Sequence, residues 1–289
     1  MKKSSASSVH NTKETEDFFI SRLERKKKVN QNNGVAFKIW AVFYPVGMYY
    51  VAITMGSFVA QVILGAGIET YMLCKIIGSL VAIPVVWSFY KQDLIFEGTY
   101  RLKQEFNKEF WKNVLFVIVI SASVSIALNN IICMSPLVTM SEAYEQASEA
   151  FYGSTIGIEL LGSALITPFL EELLHRGVVY KRLRNMVNVK WAILASAFIF
   201  AGLHFNIVQF TYAFLLGIVL AVFMEKTNRL YAPVLAHVVA NTIAVFRTET
   251  GILSKTTDGS SLSWVLSGVL LFVGIGGLLL FLKVRKTHE

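Results

Sequence analysis

Glu171, Glu172, His175 and Arg176, then His204, then His237 and Asn241 place titratable and hydrogen-bonding side chains in stretches that are otherwise apolar. At bilayer depth such groups are costly unless they are paired or face a wet cavity, so each is a candidate for function. Helical neighbours three or four residues apart share a face, whereas adjacent residues diverge by about 100°. Glu172 and Arg176 are therefore an i,i+4 pair in the favourable order, glutamate first, and can neutralise one another. Glu171 points elsewhere and is free to meet groups from other helices. If His204 approaches it, the two can hold a water molecule and take its proton, which is general-base work in a site of restricted water access. His237 and Asn241 share a face one turn apart, and an imidazole and a carboxamide are donors suited to the oxyanion formed when water adds to a peptide carbonyl. Pro168, three residues before Glu171, removes an intrahelical hydrogen bond and frees a carbonyl at the site.

These residues need helices to hold them, and the composition says that the helices lie in lipid. Of the 289 residues 54% are hydrophobic and 16% charged, too little polar surface for a soluble fold of this length. A hydrocarbon core of about 30 Å takes about 20 apolar helical residues. Eight such segments are expected, at about 39–68, 71–90, 114–134, 155–178, 191–204, 207–224, 231–246 and 262–282. The fold class is thus an all-α integral membrane protein, about eight transmembrane helices in one bundle, with Lys75 snorkelling near one end of the second. The chain divides into a polar basic tail at 1–34, amino-terminal membrane helices at 35–150 with an interfacial linker near 91–112, a core at 155–246 holding the candidate residues, and a last helix with a basic tail at 247–289.

Loop charges give the orientation. Lys91, Arg101, Lys103, Lys108 and Lys112, then Lys181, Arg182, Arg184 and Lys190, then Lys226 and Arg229, and finally Lys283, Arg285 and Lys286 fall in alternate connections. By the positive-inside rule these connections, with both termini, are cytoplasmic. The connection with Glu142, Glu145 and Glu149 is outside. The same rule explains the formal charge of +8 without nucleic acid as a partner. Cys74 and Cys133 sit in apolar runs and read as small buried hydrophobes, and His10 and His288 lie in the polar tails. Two histidines and a carboxylate can bind zinc, with Glu171, His204 and His237 as the ligands if the protein is metal-dependent. No HExxH is present, and the reading taken is metal-free. One tension stands: at about 1.5 Å per residue His204 lies about 21 Å from an inner boundary near Lys190, but Glu171 only about 13 Å from one near Tyr180.

The order of the motifs carries a resemblance. EELLHR at 171–176 fits EExxxR, FAGLH at 200–204 fits FxxxH, and HVVAN at 237–241 fits HxxxN. In this series the chain resembles the CPBP family, the CAAX prenyl protease and bacteriocin-processing (Abi) peptidases that include CAAX prenyl protease 2 and lysostaphin resistance protein A-like domains. The resemblance covers about 155–246. It implies that Glu171 and His204 activate the catalytic water, that His237 and Asn241 form the oxyanion hole, and that Glu172 and Arg176 support them. His175 departs from the family, in which an aromatic residue is common at that position. The implied activity is endoproteolysis of a membrane-associated or lipidated peptide, or of a bacteriocin or signal-peptide precursor; the compact loops and Lys-rich, Pro-poor composition separately suggest the bacterial plasma membrane as its location. A non-proteolytic membrane regulator or bacteriocin immunity protein is the alternative, which degenerate motifs would favour. A transporter with a buried proton relay is a third, but the halves show no repeat.

Overall fold

The structure, a computed structural model, describes residues 34–99 and 106–284. It is helical throughout these residues apart from turns. The helices are α1 Val35–Leu64, α2 Ile68–Glu97, α3 Lys108–Cys133, the short α4 Glu142–Phe151, α5 Ile156–Arg184, α6 Val189–Gly202, α7 Ile207–Thr227, α8 Tyr231–Thr250 and α9 Ser261–Val284. All eight expected segments are helical. By length and apolarity five helices of the described residues, α1, α2, α3, α7 and α9, can each cross a membrane, and a sixth span is reached if α4 and α5, bent by 108° at their junction, count as one. The expected count of eight spans is not attained on that measure. α6 has only 14 residues, and α8 carries His237, Asn241, Arg247 and Glu249, which lower its apolarity.

The linker expected near 91–112 is divided between helices: 91–97 end α2 and 108–112 begin α3, while 100–105 lie outside the described residues. His10 and His288 also lie outside them. From Val42 onward the described residues form one compact unit, and Gly34–Ala41 open α1.

Two clusters of buried side chains organise this unit. In one, Val42, Val46 and Tyr49 of α1 and Ala82 and Val86 of α2 pack on Leu170, Leu173 and Leu174 of α5. In the other, Val117, Ile120 and Val124 of α3 meet Leu216, Leu220 and Phe223 of α7, Ala236 and Ala240 of α8 and Phe281 of α9. In lipid the hydrophobic effect does not press helices together, so close backbone approach has to supply contact energy. Gly56 of α1 and Gly78 of α2 meet in this way, and a Cβ built on Gly56 would come within 2.9 Å of the Gly78 Cα. The outward side chains of α9, among them Leu262, Phe272, Val269 and Leu280, are exposed as lipid-facing residues should be.

Charges collect at the carboxyl ends of α2, α5 and α7. Arg182 pairs with Asp93 (2.8 Å), Lys181 with Glu97 (3.1 Å) and Arg184 with Glu225 (3.4 Å), and the Tyr180 hydroxyl donates to Glu225 (2.7 Å). These three helices thus run in the same direction, as alternating spans must. Partly exposed ion pairs of this kind add little stability each. Their effect is to hold one end of the bundle in register beneath the site.

Candidate active site

α5 is the least regular element and carries the most chemistry. Its α-helical Thr167–Glu172 is flanked by π-helical Leu160–Ile166 and Leu173–Tyr180. Such wide turns are rare and gather at functional sites. Non-helical backbone at membrane depth is tolerated where protein buries it or a cavity lies beside it. In the first π segment the Thr167 N–H reaches the Gly162 carbonyl, five residues back. The next bond in that register would run from residue 168 to Ser163, but Pro168 has no N–H. The Asn241 side-chain Nδ2–H donates to the Ser163 carbonyl instead (2.8 Å). The carbonyl that Pro168 was expected to free is therefore Ser163's, and it seats Asn241.

Glu172 and Arg176 pair as their spacing required, with Nη1 to Oε1 at 2.7 Å and both side chains fully buried. A lone ion pair at that depth would be poorly compensated, so the remaining partners matter. Arg176 Nη2 donates to the Gly217 carbonyl of α7 (3.1 Å), and the guanidinium lies over the Phe200 ring at 4.5 Å. Gly217 eases this approach: a Cβ there would sit 3.2 Å from Arg176 Nη2 and 3.3 Å from the Ala197 Cα, so these neighbours would have to give by a few tenths of an ångström. The same Glu172 Oε1 also accepts from His237 Nδ1 (2.8 Å). Glu172 thus orients a histidine of α8 while its own charge is met by Arg176.

Glu171 has a different environment. Its carboxylate is 15% exposed and approaches His237 Nε2 at 3.8 Å. It lines a cavity of about 450 Å³ together with His204, His175, His237, Asn241, Phe200, Thr167 and Ser163. All four residues expected to act on substrate thus face one space. Glu172 and Arg176 stand behind it. α6 reaches its end at Gly202, and His204 follows in the turn that leads to α7, so it need not lie at the depth that an unbroken helix would give. Glu171 and His204 line the same cavity, so the levels counted along straight helices do not keep them apart. His204 Nδ1–H donates to the Phe200 carbonyl (3.1 Å), leaving Nε2 with its lone pair in the neutral ring. His175 Nδ1–H donates to the Glu171 carbonyl (2.8 Å), so its link to Glu171 runs through the backbone.

Two positions that hold the site were missed in the sequence. Phe200 is buried and lies edge-on to His175 (5.0 Å), His204 (5.1 Å) and His237 (5.7 Å). With Arg176 on its face it fixes the direction of four polar side chains. It is the first residue of the FxxxH motif, and its place there was the available signal. Asn206 caps α7 by accepting from the Gln209 N–H (2.8 Å) and donates to the His204 carbonyl (3.1 Å). Between them Phe205 takes a left-handed φ of 56°, unusual for a bulky residue. An Asn before an apolar helix signalled the cap, but nothing local signalled its second bond.

Lys75 also departs from expectation. It does not snorkel away but lines the cavity, with Nζ 3.9 Å above the Phe151 ring. The polar cluster is not saturated either. Glu172 Oε2, Arg176 Nε, His175 Nε2 and Thr167 Oγ1 are buried with no hydrogen-bond partner among the described residues, a deficit that packed cores avoid. Among the described residues no three His, Cys, Asp or Glu side chains converge as a ligand set for a metal ion.

Comparison with known proteins bears on the same region. Residues 154–243 match the family model described as type II CAAX prenyl endopeptidase Rce1-like. Over 90 residues the chain is 27% identical to YdiL of Bacillus subtilis (strain 168), by name a candidate membrane peptidase. That alignment takes in 31% of this chain and 37% of the relative's length. No solved structure matches. The motifs at 171–176, 200–204 and 237–241 all fall inside the matched stretch, and residues 154–243 carry the sequence pattern of the Rce1-like type II CAAX prenyl endopeptidases.

Proposed function

We propose that this protein is an intramembrane endopeptidase in which Glu171 and His204 activate a water molecule without a metal ion. The observation that carries the reading is the division of labour between adjacent glutamates. Glu172 is committed to Arg176 and His237, while Glu171 keeps its carboxylate toward a cavity that His204, His237 and Asn241 also line. A water held between Glu171 and His204 Nε2 gives up its proton as it attacks the scissile carbonyl. The carbonyl oxygen becomes an oxyanion, which needs donors preset toward it. His237, with Nδ1–H on Glu172, presents a second N–H from Nε2 in its imidazolium form. Asn241 keeps one amide hydrogen beyond the one given to Ser163. Breakdown of the tetrahedral intermediate returns the proton to the leaving amine.

Glu172, Arg176 and Phe200 act as positioning groups in this scheme. The substrate is a membrane-associated or lipidated peptide, or a bacteriocin or signal-peptide precursor, reached from the bilayer of the bacterial plasma membrane. The family match over 154–243 supports peptidase chemistry of this class.

The test is cleavage of a candidate membrane peptide by purified protein in detergent. Activity is expected to survive exhaustive chelation with substoichiometric zinc present. Activity that vanishes with chelator and returns specifically with zinc would replace the metal-free mechanism, and persistent inactivity of the purified protein on all such peptides would favour the non-proteolytic regulator.

The orientation proposed here puts both termini and the Arg184 end of α5 in the cytoplasm and Glu145 outside. Single cysteines at 184 and 145 should be labelled from opposite faces by an impermeant thiol reagent. Labelling of position 184 from the outside would invert the topology.

A further inference from the structure

The mechanism leaves one charged wall of the cavity unused. Lys75 belongs to the α2 face that packs on the first π segment of α5, where Met72 and Ile76 close over Gly162 and the Ser163 hydroxyl lies 3.6 Å from Met72 Sδ. One turn along, the Lys75 ammonium faces the cavity. Its close partner is a π face, the Phe151 ring, which Tyr71 steadies edge-on at 5.8 Å. Among the described residues it forms no ion pair with a carboxylate. Glu171, across the cavity, acts on it electrostatically but is not in ion-pair contact with it.

An aromatic face compensates a desolvated ammonium only in part. A cation aimed into a largely apolar cavity is completed by an anion that arrives with the ligand, and a carboxylate is the anion that a peptide carries. Lys75 lines the same cavity as His237 and Asn241, the proposed oxyanion donors, so a peptide held there can meet both. We propose, resting on the peptidase reading above, that Lys75 forms a subsite for a carboxylate of the peptide substrate. It selects chain segments with an acid group close to the scissile bond. That group is either the free carboxyl terminus or an Asp or Glu side chain, and in both cases the ammonium sets substrate affinity and stays out of the bond-breaking step.

The experiment uses a library of synthetic octapeptides, randomised at internal positions, tagged at the amino end and made as free acids and as carboxamides. With wild-type protein, kcat/KM for the free acids should exceed that for the carboxamides by about 10- to 100-fold, mostly through KM, as expected for one partner of a desolvated charge pair. Lys75→Gln should abolish the preference and Lys75→Arg should keep most of it. If the acid group is a side chain, the preference persists in the carboxamides and their cleaved members share an Asp or Glu at one position. Binding of the same libraries to Glu171→Gln protein and to Glu171→Gln/Lys75→Gln protein provides a readout that needs no turnover. Acid-selective binding that depends on Lys75, with no cleavage by the wild type, keeps the subsite and removes the peptidase reading. Cleavage indifferent to acid groups, or a preference that survives in Lys75→Gln, overturns the subsite and leaves the peptidase. An absence of both cleavage and acid-dependent binding overturns both.

Discussion

Glu171→Gln protein is expected to insert and accumulate at the wild-type level while its cleavage rate falls by about 10²- to 10⁴-fold, the range for loss of a general base. The expectation of normal accumulation comes from the surroundings of this carboxylate. Among the described residues it has no arginine or lysine in ion-pair contact, it faces a cavity, and its near neighbour is His237 Nε2 at 3.8 Å. An amide of the same size keeps the packing and part of the hydrogen bonding, and breaks no ion-pair contact with an arginine or lysine among the described residues. Asn241→Ala should also lose activity, by about 10²- to 10³-fold, the scale for one oxyanion donor. Its abundance should fall somewhat as well, because the Ser163 carbonyl has no N–H from Pro168 to fall back on. The measurement is peptide turnover per amount of membrane-extracted protein. Full turnover by both Glu171→Gln and His204→Ala would end the proteolytic reading.

The sequence told most about the site where chemistry depends on local geometry. Glu172 and Arg176 share a helical face in any helix, so their pairing followed from their spacing. The motif order pointed to residues of one cavity for a related reason: EELLHR and HVVAN each lie within a single helix, and FAGLH runs from the end of α6 into the turn that follows it. Pairings set by long-range geometry were not legible. Pro168 signalled a freed carbonyl, but which carbonyl depends on the π register, for which apolar periodicity has no signature. That the acceptor would be met by Asn241, 78 positions away, depends on how α8 packs against α5. Phe200 was legible as the first residue of FxxxH, but its role as a shared neighbour appears only when three histidines converge on it. The count of eight spans stays open on apolarity alone for a related reason: His237, Asn241 and Arg247 lower the apolarity of α8, and α6 has only 14 residues.

Arg176→Ala should have the opposite phenotype to Glu171→Gln, a loss of the protein itself. Breaking a buried pair by removing one partner typically costs about 3–5 kcal/mol, because the remaining charge is left uncompensated. Here the remaining charge is Glu172, fully buried, with Oε2 already lacking a partner. Removal of Arg176 also strips the Gly217 carbonyl of its donor and the Phe200 ring of its cation. Glu172→Ala should be as damaging by the reverse route, with the guanidinium unpaired and His237 Nδ1 without an acceptor. The pair can be separated from catalysis by removing both charges together. Replacement of a buried ion pair with apolar residues of similar volume is often neutral or stabilising, so Glu172→Leu/Arg176→Met protein should regain most of the accumulation lost by either single change. It should not regain activity, since the hydrogen bond from Nδ1 to Glu172 that keeps the His237 Nε2 toward the cavity is then gone. Quantitative immunoblotting of membranes and turnover of the extracted protein read these two properties apart. Recovery of activity along with abundance would mean that His237 is oriented by packing against Phe200 alone, and that Glu172 serves only to neutralise Arg176.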